Sequence, residues 1–253
     1  MIAPSLTGLG ETLAVGSIER FLTRDDDRQL TAVMDDYLAT ADRAAFEHDR
    51  TSSIHEIPGH SPRLAMSIYE PAGRLEIPDI PSAAEKVLQD AFDRARPTLA
   101  RTLPSVTSCR PWTYIEYGPG QHITPHLDGI APDPRQWPRQ IAGIGVSIGA
   151  HCHGGGFFVE TTSDPRLWNT ALPGDTPGYA QGMVFAHDGA DNSSAWFRDM
   201  ARTRWTVDPE PGTALLYGSQ LTHGTHPVAA GRARKFISWL FADASCPPGV
   251  HSC

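Results

Sequence analysis

His126 and Asp128 are separated by one leucine, and a second imidazole, His223, follows far down the chain. On an extended segment alternate side chains share a face, so His126 and Asp128 can reach the same ion. Two imidazoles and one carboxylate form the ligand set of a non-haem Fe(II) centre with open positions for oxygen chemistry. The chain has eleven histidines, so an H-x-D pair arises easily by chance and its surroundings must carry the argument. His226, three residues past His223, is the rival third ligand. Arg234 heads the apolar run Lys235-Phe-Ile-Ser-Trp-Leu-Phe241. A guanidinium there is costly unless it meets an anion, and its planar fork suits a carboxylate. Arg232, on the same strand face, is its rival.

The elements that must position these groups change character along the chain. Leu30, Val33, Met34, Tyr37, Leu38 and Ala41 make the stripe of an amphipathic helix, predicted over residues 17–46, with Asp25, Asp26 and Asp27 suiting the dipole at its start. A second helix is predicted from Ser82 to about Leu99, with Ser82 as N-cap, Glu85 completing a capping box, and Ala84, Val87, Leu88, Ala91, Phe92 and Ala95 on one face. Between them lies irregular chain with a short strand near Leu64 to Tyr69. After Pro111 the pattern turns to strands: Trp112 to Tyr117, Ile141 to Ile148, Phe157 to Glu160, Thr213 to Tyr217 and Lys235 to Phe241. Gly118-Pro-Gly120 and Gly129 bracket the H-x-D segment with turns. Residues 163–208 hold three tryptophans (Trp168, Trp196 and Trp205) without sustained periodicity and read as a lid-like insert. Helices first and then strands argue for a mostly β fold buttressed by N-terminal helices.

Composition narrows the function. The 253 residues suit one domain, with a mainly helical part over 1–110 and a β core over 111–245. A formal charge of −8 offers no basic patch, which disfavours nucleic acid as a partner. No apolar run is long enough to span a bilayer. Cys109, Cys152, Cys246 and Cys253 show no CxxC spacing, and no signal peptide is evident, so a cytoplasmic protein with free thiols is expected.

The ordered set Tyr-Gly-Pro-Gly-Gln-His-Ile-Thr-Pro-His126-Leu-Asp128-Gly, the Gly154 to Glu160 turn and strand, and His223-Gly-Thr followed by Arg234-Lys-Phe-Ile-Ser238 resembles the Fe(II)/2-oxoglutarate-dependent dioxygenase superfamily. The resemblance covers residues 112–242. Its last segment is similar to the phytanoyl-CoA hydroxylase branch, and the Tyr-Gly-Pro-Gly and His-Pro-Val pieces to prolyl hydroxylases. It implies a double-stranded β-helix, a cupin-like jelly roll with the metal at its open end. It implies that His126, Asp128 and His223 bind Fe(II). Arg234 would hold the C5 carboxylate of 2-oxoglutarate, helped by Ser238, with Tyr114 as a further cosubstrate contact. The reaction implied turns 2-oxoglutarate and O2 into succinate and CO2 through a ferryl oxidant. The radical halogenases of the superfamily replace the carboxylate ligand, so Asp128 points to hydroxylation.

Trp112, Glu116, His153 and Trp239 are the substrate-contact candidates, and Glu116 suits a substrate amine. A small molecule is expected, a free amino acid or a specialised metabolite, with the assembly open between monomer and homodimer. The competing readings are a cupin-type metal-dependent isomerase, which would leave Arg234 without its role, and a non-catalytic small-molecule-binding protein.

Overall fold

The computed structural model describes residues 6–41, 57, 59–128, 137–149, 152–169, 178–187 and 189–243, so Gly129, Cys246 and Cys253 lie outside the described residues. In chain order the elements are α1 (Leu9–Thr12), β1 (Val15–Ile18), α2 (Arg24–Thr40), α3 (Pro62–Tyr69), β2 (Leu75–Ile77) and α4 (Ser82–Thr102). Then come β3 (Ser108–Cys109), β4 (Thr113–Tyr117), β5 (Ile123–His126), β6 (Arg139–Ser147), β7 (His153–Gly154), β8 (Phe157–Thr161), β9 (Trp168–Asn169) and β10 (Phe185–Ala186). The chain continues with α5 (Ala195–Arg198), β11 (Thr203–Val207), β12 (Ala214–Gly218), β13 (Thr222–Thr225), β14 (Val228–Ala230) and β15 (Ala233–Ala242). The protein is mostly β, with antiparallel sheets and few helices. The larger sheet runs β1-β12-β6-β15-β4-β2, with β3 also on β15, and a four-stranded sheet runs β11-β8-β13-β5.

Helix α2 begins later than its periodicity suggests. Residues 15–18 pair with β12 as a strand, and the helix starts where Thr23 accepts from Asp26 N–H while the Asp26 carboxylate accepts from Thr23 N–H. That reciprocal cap satisfies two otherwise orphaned donors. Helix α4 is N-capped by Pro81, not Ser82. Glu85 does not close a capping box either; its carboxylate accepts from the Trp112 backbone N–H at 3.0 Å and ties the helix to the entry of β4. The segment 64–69 is helical, not extended. Ser61 caps it, Pro62 occupies its first turn, and Ala65 and Tyr69 turn inward one turn apart.

The main core lies between α2, α4 and one face of the larger sheet. Leu30, Met34, Leu88 and Phe92 meet Trp112, Tyr114, Ile144, Phe236 and Leu240 there, each large side chain contributing about 1.5–3 kcal/mol by leaving water. Strand parity then dictates the rest. On β15, Phe236 and Leu240 belong to this helix-facing core, so Lys235, Ile237 and Trp239 face the opposite way, toward the four-stranded sheet. On β4 the same rule sends Tyr114 and Glu116 toward the helices and Ile115 and Tyr117 inward. Among the described residues no helix is long and apolar enough to cross a membrane.

Candidate metal centre and its cavity

β5 and β13 are neighbours, and their register sets His126 directly opposite His223. Asp128 follows two residues after His126, on the same side, while Leu127 points away into a separate apolar cluster. The three side chains are buried and offer one ligand atom each within 4.8 Å of one another. Asp128 Oδ1 lies 3.7 Å from His126 Nε2 and 3.5 Å from His223 Nε2. Nδ1 of His126 meets Thr124 O at 2.7 Å, and Nδ1 of His223 meets Leu221 O at 2.9 Å. A carbonyl only accepts, so each Nδ1 carries the proton and each Nε2 turns its lone pair inward. Second-contact hydrogen bonds of this kind fix the tautomer and orientation of a metal-binding histidine. The donor set therefore fits a divalent transition metal such as Fe(II).

Aromatic rings hold the imidazoles in place. Tyr69 from α3 stands edge-on to His126 at 5.5 Å, and Tyr217 and Phe157 lie 4.4 and 5.7 Å from the His223 ring. Gly143 makes room for Tyr217, since a Cβ there would fall 2.3 Å from the ring. Burial, with Asp128 nearby, pushes the Tyr217 phenol well up, so it remains protonated and neutral.

The cavity around the triad is lined from both sheets. Tyr117, Gly145, Leu215, Tyr217, Lys235, Ile237 and Trp239 come from the larger sheet, and Ile123, Phe157 and Thr225 from the smaller. Lys235 Nζ donates to Thr225 Oγ1 at 2.9 Å and lies 4.8 Å from the centre of the Tyr117 ring. Burial, aided by the Arg74 charge, drives the Lys235 ammonium down to about 7. Tyr117 is pushed up, mainly by burial, and so remains a protonated donor. On the edge strand β11, Trp205 and Val207 are 59% and 41% exposed. Register places Trp205, Val159, His223 and His126 in one row across the smaller sheet, which sets the Trp205 backbone two strands, about 10 Å, from that of His223.

The structure brings His126, Asp128, His223 and Trp239 together and leaves the other expected site residues elsewhere. Arg234 lies on the far side of β15, donating to Tyr114 Oη at 2.7 Å and pairing with Asp35 of α2 at 2.8 Å. Ser238 shares that side and donates to Arg110 O at 2.7 Å. Tyr114 donates to Glu116 at 2.9 Å, Glu116 pairs with Arg232, and Trp112 is a core residue under the helices. These five face the helices because the expected parity of β4 and β15 is off by one residue, which moves every side chain to the opposite face. His153 is exposed on β7 and does not line the cavity. His226 lies tilted against Phe158, ring centres 4.9 Å apart, and meets Thr206 Oγ1 at 2.9 Å on the outer face of the smaller sheet. Within the expected lid, Thr203–Val207 is instead the edge strand β11, while Trp168 and Trp196 pack with Leu127, Leu167 and Phe197. Lys235, Thr225 and Tyr117 were missed. The available signal was a lysine inside an otherwise apolar strand, in a chain whose sole other lysine is Lys86.

No protein-family model matches the chain, and no curated protein matches it. Solved structures do. A prolyl-4-hydroxylase from Pseudomonas putida is 17% identical, with a TM-score of 0.51 over 92% of this chain and 95% of that one. A Trichoplax adhaerens prolyl hydroxylase, solved with a hypoxia inducible factor oxygen degradation domain peptide fragment, is 13% identical, with a TM-score of 0.53 over 91% and 84%. AviO1 from Streptomyces viridochromogenes Tue57 is 14% identical, with a TM-score of 0.50 over 94% and 93%. By these likenesses the chain shares the fold of the two prolyl hydroxylases and of AviO1.

Proposed function

We propose that this protein is an Fe(II)- and 2-oxoglutarate-dependent hydroxylase of a small molecule, built as one domain on a double-stranded β-helix and working in the cytoplasm. The observation that carries the reading is one cavity holding a buried His-Asp-His cluster and, elsewhere on its wall, a half-buried lysine bonded to a threonine. His126, Asp128 and His223 would hold the iron, which with 2-oxoglutarate and O2 supplies the oxidising power for C–H hydroxylation. Retention of Asp128 as the carboxylate ligand favours hydroxylation over halogenation.

Lys235, rather than Arg234, takes the distal carboxylate of 2-oxoglutarate in this reading. One of its three ammonium donors goes to Thr225, leaving the others for an anion, and the Tyr117 hydroxyl adds a neutral donor. Ile237, Leu215 and Trp239 exclude water around the reacting groups. The substrate enters past Trp205 and Val207, where apolar surface lies open beside the metal row. A free amino acid or a specialised metabolite suits a mouth that also carries Asp208 as a partner for an amine.

Two measurements test the proposal. Anaerobic addition of Fe(II) and then 2-oxoglutarate should produce a weak visible charge-transfer band, and its absence would count against chelation of the cosubstrate. A substrate panel beginning with amino acids, read by mass spectrometry, should reveal O2-dependent succinate formation coupled to one substrate. A cupin-type isomerase or a binding protein would form none.

A further inference from the structure

Arg74 sits just before β2, buried, in a place the proposed reaction does not use. Its guanidinium reaches in three directions: Nε to Glu70 at 2.8 Å, Nη2 to Glu76 at 2.9 Å, and Nη1 to the Tyr117 hydroxyl at 2.8 Å. Both carboxylates are buried as well. Arg74 and Tyr117 both line the cavity that holds the metal cluster.

Donor and acceptor rules give this cluster a direction. A guanidinium only donates, so the Tyr117 oxygen must accept from Arg74. On the other side of the cavity wall an ammonium also only donates, so Thr225 Oγ1 accepts from Lys235. With its oxygen accepting from Arg74, Tyr117 has to place its own proton elsewhere. The open side is the cavity.

We propose that Arg74 is a positioning residue for the cosubstrate: by donating to Tyr117 it turns that hydroxyl's proton into the cavity, making Tyr117 and Lys235 a two-donor cradle for a carboxylate. The inference rests on the reading that 2-oxoglutarate places its distal carboxylate at Lys235. Glu70 and Glu76 hold the guanidinium in register and balance its charge. The segment between α3 and β2 thereby sets cosubstrate affinity without touching the cosubstrate.

The test is a double-mutant cycle read as the dissociation constant for 2-oxoglutarate, by calorimetry on the anaerobic Fe(II)-loaded protein. Tyr117→Phe removes one hydroxyl and should weaken binding about tenfold, the scale of a hydrogen bond to a charged group. Arg74→Lys keeps the charge, but its single nitrogen satisfies Glu70 and Glu76 ahead of the phenol, and should weaken binding by a similar factor. In the Tyr117→Phe background, Arg74→Lys should add almost nothing, because its effect runs through the missing hydroxyl. Thermal melts establish that each variant is folded. The charge-balanced pair Arg74→Gln with Glu70→Gln replaces Arg74→Lys should that variant not fold. Additive losses, or a Tyr117→Phe protein that binds as tightly as the unmodified one, would overturn the proposal. Lys235→Met separates the two readings: if it leaves 2-oxoglutarate binding intact, the carboxylate site itself is misassigned, whatever Arg74 does.

Discussion

Each ligand histidine gives its Nδ1 proton to a carbonyl two residues back in the chain, so the metal-binding tautomer is set by backbone before any metal arrives. Asp128→Ala and His223→Ala should therefore each lower Fe(II) or Mn(II) affinity by at least about a hundredfold, beyond the 10–100-fold typical of second-contact losses. His226→Ala, on the outer face, should leave metal affinity unchanged; metal titration checks all three, and a loss confined to His226→Ala would reverse the assignment. Lys235 makes a prediction of pH dependence. Its folded value of about 7 lies below the ordinary 10.5, so the unfolded chain binds the extra proton across that window. Its penalty on stability is full below pH 7 and is relieved as pH rises toward 10.5. Ligand binding runs in the opposite sense, because a carboxylate wants the ammonium. The 2-oxoglutarate affinity should be level below pH 7 and fall by up to about tenfold per unit above it, with proton uptake on binding. Calorimetry at pH 8 in buffers of different ionisation enthalpy reads that uptake; none, with a flat affinity profile from pH 6 to 9, would remove Lys235 from the carboxylate site.

At the scale of elements, register decides what a residue is for. β15 is covered on both faces, by the helix-packed core on one side and the metal cavity on the other. A strand covered on both sides carries no clean alternation of polar and apolar residues. That is why the existence of β4, β6, β8, β12 and β15 was legible in their runs of β-branched and aromatic residues, whereas the facing of Arg234 against Lys235 was not. The H-x-D spacing, by contrast, survives any choice of facing, since its two members stay together whichever way the strand turns. The helix at 62–69 was hidden for another reason: its eight residues are too few to show a period, and its evidence lies in Ser61 and Pro62 at the cap. Parity leads to a paired prediction. Lys235→Met should abolish measurable 2-oxoglutarate binding, while Arg234→Met should leave binding unchanged and cost roughly 1 kcal/mol by losing its bonds to Tyr114 and Asp35. Calorimetry and chemical denaturation separate the two effects, and an exchange of phenotypes would mean that β15 is turned over.

Across the whole molecule, the metal cluster is where separate parts of the chain are fastened. Leu127, between the two first ligands, packs with Leu167, Ala190, Phe197 and Met200 of the segment that follows β8. Tyr69 of α3 rests its ring edge on His126 and donates its hydroxyl to Asp191 of that same segment at 3.0 Å. A bound metal should therefore stabilise α3, β5 and the segment over them together. An ion that binds only the folded state stabilises by about 2.7 kcal/mol at a hundred times its dissociation constant, which for a domain of this size raises Tm by about 5–10 °C. Asp128→Ala should lose that rise. Leu127→Ala leaves all three ligands in place but empties the contact beneath them, so it should cost about 2–5 kcal/mol and also weaken the metal, because the chain carrying Asp128 loses the apolar anchor next to it. Thermal melts with and without Mn(II), alongside a metal titration, measure both quantities. A Leu127→Ala protein that loses stability yet keeps full metal affinity would show that the ligands are held by β5 and β13 alone, and that the covering segment plays no part in building the site.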